Sequence, residues 1–188
     1  RFTRFCSAFL ADQKVGFDRP IFMSGEESGG AATFDGQGAS AFATCNGDTY
    51  HLPRLAHFNW ENQVVLPGTG AQTVVIGLED AGSLTSQLYV YVGTKQPAAT
   101  DWLSINGLNN GQSYVFKYDD VAHKDEATFT AKGTSTTGSW AQINYALTDV
   151  QLEAQVQGLG SFNFIRIEDG ASDPRTTGVF YFVTTGSP

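Results

Sequence analysis

Apolar positions in this chain come in short bursts separated by glycine, asparagine and proline, a spacing that suits strands better than helices. Residues 73–78 (TVVIGL) predict a buried strand that ends at Glu79 and Asp80. Residues 87–94 (QLYVYVGT) alternate, with Leu88, Val90 and Val92 opposite Tyr89 and Tyr91. The turn at Ala81-Gly82-Ser83 makes these two runs a hairpin whose loop opens on two carboxylates. Further strands are expected at residues 20–23, 39–44, 113–118, 127–132 and 179–184, and a strand or a turn of helix at 4–10. Asn46-Gly47 followed by Tyr50 and His51 is a hairpin signal, because both central residues of such a turn need positive φ.

One helix is predicted. Thr148 followed three residues later by Gln151 has the form of a capping box, Leu147, Val150, Ala154 and Leu159 form its apolar stripe, and Gly158 ends it. After it, residues 162–168 read as a strand that carries Phe162, Phe164, Arg166 and Glu168 on one face and Asn163, Ile165 and Ile167 on the other. This strand runs into a turn at Glu168-Asp169-Gly170 and ends at Asp173-Pro174. A cation and an anion at the end of an aromatic row, beside a turn rich in acidic oxygens, suit a metal and a phosphate. The same pair also suits an exposed ion pair worth under about 1 kcal/mol.

The 188 residues are enough for one domain with a core, and 21 glycines with only 16% charged residues fit a turn-rich all-β protein. The net charge of −8 argues against nucleic acid, whose backbone attracts basic surfaces. It is compatible with calcium, which prefers carboxylate and carbonyl oxygens. No apolar run is long enough to form a transmembrane segment. Cys6 and Cys45 are open to two readings, a disulfide or two free thiols.

Candidate ligands are scattered. Glu26 and Glu27 lie between glycines, where a sharp bend lets two adjacent carboxylates reach one cation or form a solvated acidic loop. Glu61 follows Trp60, a place for a partly buried carboxylate that needs a partner or a cation. His51 and His57 are candidate ligands, although most single histidines are ordinary hydrogen-bonded residues.

The pieces RFCSAFLA, RPIFMSGEESGG, LPRLAHFNWEN, TVVIGLEDAG, LYVYVGTKQ, FIRIEDGASDP and FYFVTTG run in order through nearly the whole chain. Together they resemble the PhoX-type alkaline phosphatase family, exported bacterial β-propeller proteins with calcium and iron around a phosphate site. The resemblance implies a β-propeller-like arrangement of small antiparallel sheets. A blade takes roughly 40–50 residues, so residues 1–188 form a partial propeller of about four blades. It implies phosphomonoester hydrolysis in a secreted, periplasmic or extracellular setting. Arg166 and Glu168 match the family's Arg-x-Glu at the phosphate and metal centre, and Glu61 matches a further metal-binding glutamate. Glu26 and Glu27 fall on a Cys-Glu-Glu ligand run in which Gly25 stands where the family has its thiolate. That favours calcium over iron.

Family members extend past position 188, so the resemblance also implies either a remainder of the chain beyond Pro188 or self-assembly that covers open sheet edges. Two functions are expected on these grounds. One is a metal-dependent phosphomonoesterase, with Arg166 on phosphate oxygens and Glu26, Glu27, Glu61 and Glu168 on metal. The other is a non-catalytic exported propeller serving as a structural or binding part of an extracellular assembly.

Overall fold

The computed structural model describes residues 2–186. Arg1, Ser187 and Pro188 lie outside the described residues, and with them the question of whether Pro188 is the C-terminus. The chain is all-β, built from several small antiparallel sheets, with no closed barrel among the described residues.

The first sheet is a four-stranded meander of β1 (Phe5–Ala11), β2 (Ile21–Glu26), β3 (Ala41–Cys45) and β4 (Asp48–His51), each hydrogen-bonded to the next. The turn from β3 to β4 has φ of 53° at Asn46 and 91° at Gly47, the two positive values that the Asn-Gly pair predicts. The second sheet begins with β5 (Trp60–Val65) and β6 (Gln72–Glu79). The chain then leaves it through the short β7 (Ser83–Ser86) and returns as β8 (Leu88–Thr94), so the expected hairpin carries an excursion. A one-turn helix α1 (Trp102–Ile105), β9 (Gln112–Tyr118) and β10 (Gly138–Gln142) follow, giving the order β10-β9-β8-β6-β5. Helix α2 (Asp149–Leu159) precedes β11 (Phe164–Ile165), which pairs with β7, and then β12 (Ile167–Ser172) and β13 (Phe180–Thr184), which pair with each other.

The second sheet is covered on both faces. Val65, Val75, Tyr89, Tyr91 and Val115 share one core with Ile21, Met23, Ala41 and Ala43 of the first sheet and with Leu152 and Val156 of α2. Val64, Ile76, Leu78 and Val90 form a second core with Ile167, backed by Phe180 and Phe182. A strand buried on both faces needs apolar residues at consecutive positions, which explains TVVIGL. Strand β5 ends the sheet in hydrogen-bonding order, yet all six of its residues are buried, because β1, β2 and β12 pack on it.

Trp60 shows how close that packing is. A Cβ at Gly25 of β2 would stand 2.7 Å from Trp60 Cγ, and one at Gly77 of β6 would stand 2.9 Å from Trp60 Cζ3. The two glycines form the slot that holds the indole, so no cysteine or other side chain fits at position 25.

Three local expectations give way. Residues 127–132 are not a strand; a 3₁₀ turn (Glu126–Thr128) leads into irregular chain. The Glu126 carboxylate accepts from Ile165 N at 2.8 Å and Thr184 Oγ1 at 2.6 Å, so side-chain bonds hold the segment in place of a ladder. Helix α2 has the expected capping box, but it buries Leu152 and Val156 and leaves Val150 76% exposed. Its left-handed C-cap is Gly160, with Gly158 inside the helix. The strand at 162–168 breaks at Arg166, whose φ is 55°, and Glu168, Asp169 and Gly170 lie within β12 rather than in a turn. The break lets one run leave β7 and join β13. No helix among the described residues is long and apolar enough to cross a membrane.

The Trp60 slot gives a direct test. Gly25→Ala should destabilise the fold by about 1–3 kcal/mol, the usual cost of overpacking, read as a lower urea midpoint with an unchanged slope. An unchanged midpoint would show that the slot has room.

Candidate carboxylate and guanidinium site

Consecutive strand residues point to opposite sides, and this separates Glu26 from Glu27. Glu26 is fully buried, and its carboxylate accepts from Thr3 N at 2.8 Å, Thr3 Oγ1 at 3.0 Å, Phe34 N at 3.1 Å and Ser40 N at 3.1 Å. These bonds pin the loop between β2 and β3. They leave Glu26 outside the cluster in which it was expected. Glu27 turns the other way and meets Arg4, which donates from Nε to Oε2 at 2.9 Å and from Nη2 to Oε1.

Beside Glu27 lie Glu61 and Cys6, with the two carboxylates and the Cys6 sulfur offering ligand atoms within 4.8 Å of one another. Glu61 also belongs to a second grouping, with Asp80 and Glu168, whose ligand oxygens meet within the same 4.8 Å. Arg166 closes that side. Its Nε donates to Asp80 Oδ1 at 2.9 Å and its Nη2 to Asp80 Oδ2 at 2.8 Å, a bidentate pair, while Glu168 Oε1 is 3.7 Å away. Asn62 donates to Asp169 Oδ1 at 2.8 Å, Ser7 to Glu61 Oε1 at 2.8 Å, and Thr185 Oγ1 to Glu168 Oε1.

Glu27, Glu61, Arg166 and Glu168, scattered through the sequence, are therefore neighbours in space. Three ladder irregularities aim them. The register gains a residue on β1 between Phe5 and Ala8, on β5 between Trp60 and Asn62, and on β12 between Ile167 and Gly170. These are the positions of Cys6 and Ser7, of Glu61, and of Glu168 and Asp169. A bulge bends its strand and redirects the extra side chain, and here three bulges face one another. The left-handed backbone at Arg166, which costs a non-glycine residue roughly 1–2 kcal/mol, turns its guanidinium to Asp80.

The electrostatics are unbalanced. Among the described residues, Glu27, Glu61, Asp80 and Glu168 face the guanidinium groups of Arg4 and Arg166. Burial first, and then the charges of Glu27 and Glu168, hold the Glu61 carboxyl above the usual glutamate range, against the hydrogen bonds from Ser7 and Cys6. Cys6 is exposed, and its sulfur lies beside Glu27 and Glu61. Desolvation there, with Glu61 and Glu27 alongside, pushes its thiol up to about 11. Both cysteines are free, so the disulfide reading is set aside.

No family model, curated protein or solved structure matches the chain. The site must therefore be read from its own chemistry. Asp80, Arg4 and Cys6 are the members that the candidate residues omitted. Asp80 had a sequence signal, as the second carboxylate after the 73–78 run; Arg4 and Cys6 had none. Cys6, on the neighbouring strand, offers a sulfur beside Glu27 and Glu61. As a donor set, three carboxylates with oxygens close together fit a hard divalent cation such as calcium.

A cleft of about 480 Å³ opens elsewhere, lined by His57, Glu79, Tyr89, Asp149 and Glu153 among others. Burial, with Glu153 and Asp80 nearby, drives the Glu79 carboxyl well above its usual range. The walls are mainly apolar, and the Asp149 carboxylate is already bonded to Gly30 N at 2.6 Å and Val150 N at 2.7 Å. The carboxylate and guanidinium cluster is the richer chemistry.

Two outcomes follow. The unfolded chain releases the Glu61 proton near pH ~4.3 and the folded chain releases it at higher pH, so stability falls as pH rises through that window. Glu61→Gln removes the penalty. In chelator it should resist urea better than the parent at pH 7, with the advantage vanishing as pH is lowered toward 4; equal stability at both would contradict the buried-charge account. Cys6, with its thiol near 11, should react with iodoacetamide at pH 8 roughly 100-fold more slowly than a free peptide thiol. A rate matching the peptide would show a normal thiol.

Proposed function

We propose that this chain is part of an exported, metal-dependent phosphomonoesterase-like protein, with calcium held by Glu61, Asp80 and Glu168. The observation that carries the reading is the meeting of these three carboxylates within 4.8 Å beside Arg166. Among the described residues, four carboxylates against two guanidinium groups leave an excess of negative charge that a divalent cation would offset. The resemblance of RPIFMSGEESGG and FIRIEDGASDP to the PhoX-type family supplies the substrate class.

A bound calcium would supply Lewis acidity and a fixed positive charge for a phosphate oxygen. The chain's own groups have separate parts. Arg166 is 46% exposed and engages Asp80 through Nε and Nη2, which leaves Nη1 to meet a phosphate oxygen. Glu27 is held by Arg4 at the far side of Glu61, and Cys6 adds a sulfur donor there for a softer metal such as iron. The propeller-like arrangement of about four blades belongs to the same proposal. It is supported by the two larger sheets, whose strands neighbour one another in sequence order as blade strands do. On edge strand β13, Tyr181 and Val183 are 60% and 61% exposed, which suits coverage by a further sheet or a second copy.

A second reading, a non-catalytic binding module of an extracellular assembly, is favoured by one observation: the guanidinium fork of Arg166 is already committed to Asp80.

Calcium and a chromogenic phosphomonoester separate the two. Calcium binding the folded state alone should raise stability by about 2.7 kcal/mol at 100 times its dissociation constant, seen as a rising melting temperature that chelator reverses. The enzyme reading further expects calcium-dependent release of the chromophore, abolished in Glu168→Gln. A thermal shift without hydrolysis would support the binding module, and no shift in millimolar calcium would end the enzyme reading.

A further inference from the structure

A second set of ligand atoms converges apart from the carboxylate cluster. Asp35 lies in the loop between β2 and β3, His51 ends β4, and His57 precedes β5. Asp35 Oδ2 is 3.0 Å from His57 Nε2 and 3.9 Å from His51 Nε2, and one ligand atom from each residue lies within 4.8 Å of the others.

The hydrogen bonds around this set decide what it can hold. His57 is 3% exposed, and its Nδ1 faces the backbone carbonyl of Leu147 at 2.9 Å. A carbonyl only accepts, so Nδ1 carries the proton, and a neutral ring then presents the Nε2 lone pair to Asp35. This is the arrangement by which metal-ligating histidines are oriented, with the far nitrogen donating to a carbonyl. His51 Nε2 is buried and has no hydrogen-bond partner among the described residues. Asp35 is itself positioned, since its Oδ1 accepts from Gln37 N at 2.9 Å and leaves Oδ2 to the histidines. The rings of Phe34 and Phe42, with centroids 5.4 Å and 5.6 Å from that of His51, wall one side and lower the local dielectric.

We propose that Asp35, His51 and His57 form a binding site for a divalent transition metal, zinc foremost, distinct from the oxygen-only calcium site. Two imidazole nitrogens and one carboxylate oxygen are borderline donors that suit zinc and disfavour calcium. Ligands about 2.0–2.1 Å from a tetrahedral zinc stand about 3.4 Å from one another, and the observed 3.0 Å and 3.9 Å bracket that spacing. The side chains of Asp35 and His51 are 18% and 21% exposed. The metal would tie the β2–β3 loop to the end of β4 and to the entry of β5. The competing occupant of this geometry is a proton, which would make His57 an imidazolium paired with Asp35.

Cobalt and zinc distinguish the two. The chain carrying Cys6→Ser, which removes the sulfur donor from the other cluster, is stripped with chelator and titrated with Co²⁺. The proposal expects one equivalent to produce the visible d–d bands of a low-symmetry Co²⁺ centre and one equivalent of Zn²⁺ to bleach them. Adding Glu61→Gln should leave the bands unchanged. Adding His51→Gln should weaken binding by more than about 100-fold, beyond the roughly 10–100-fold cost of losing a supporting group. Circular dichroism checks that this variant folds, and Asp35→Asn replaces it if it does not. Absence of the bands, bands that survive His51→Gln or its replacement Asp35→Asn at the parent's affinity, or bands lost in Glu61→Gln would overturn the site and leave the imidazolium pair.

Discussion

Trp60 in its slot is the contact on which the rest of the structure depends. A large indole at the start of β5 is accommodated only because Gly25 on β2 and Gly77 on β6 have no side chains. The contact locks the first sheet onto the end strand of the second and keeps that strand out of water. An uncovered edge of this kind would otherwise present unpaired backbone groups to other chains. The same contact fixes Glu61. With residue 60 held in the slot and a bulge following it, the next side chain is delivered to the seam where β1 and β12 also end their regular pairing.

The cluster at the seam is an electrostatic consequence of that packing. Like charges about 5 Å apart repel by roughly 3 kcal/mol at an effective dielectric of ~20, so carboxylates do not gather without compensation. Part of it is visible: Arg4 on Glu27, the fork of Arg166 on Asp80, and a carboxyl at Glu61 that burial holds above its usual range. Glu26 shows the alternative solution one residue away. There, backbone N–H groups and one hydroxyl satisfy a fully buried carboxylate, and no cation is called for.

How much of this was legible in the sequence depended on how local the cause was. The Asn46-Gly47 hairpin, the TVVIGL strand and the Thr148–Gln151 capping box rest on backbone preferences within a few residues, and each is found in the structure. The apolar side of α2 was legible only in part: Leu147 and Leu159 pack against the core as expected, but apolar residues are spread around the helix, and packing selected Leu152 and Val156 over Val150. The break at Arg166 was hidden because nothing in FNFIRIE disfavours a continuous strand. It arises from two pairings, with β7 and with β13, that no local pattern encodes. The bulges are equally silent in sequence. Glu27, Glu61, Arg166 and Glu168 were thus identifiable as candidates, while the partners that complete their arrangement, Arg4, Cys6 and Asp80, come from the fold.

The charge balance also constrains the order of events on the proposed reading. A phosphate monoester approaching the seam without a metal meets Glu61, Asp80 and Glu168 together, and the nearest guanidinium has already given two of its donors to Asp80. A divalent cation held by the three carboxylates would offset most of their charge. It would also weaken the hold of Asp80 on Arg166, because one carboxylate would divide its lone pairs between two positive partners. More of the guanidinium would then be free for phosphate than the Nη1 that the pair already leaves. On the proposed reading, the bidentate Arg166–Asp80 pair would couple phosphate binding to the metal.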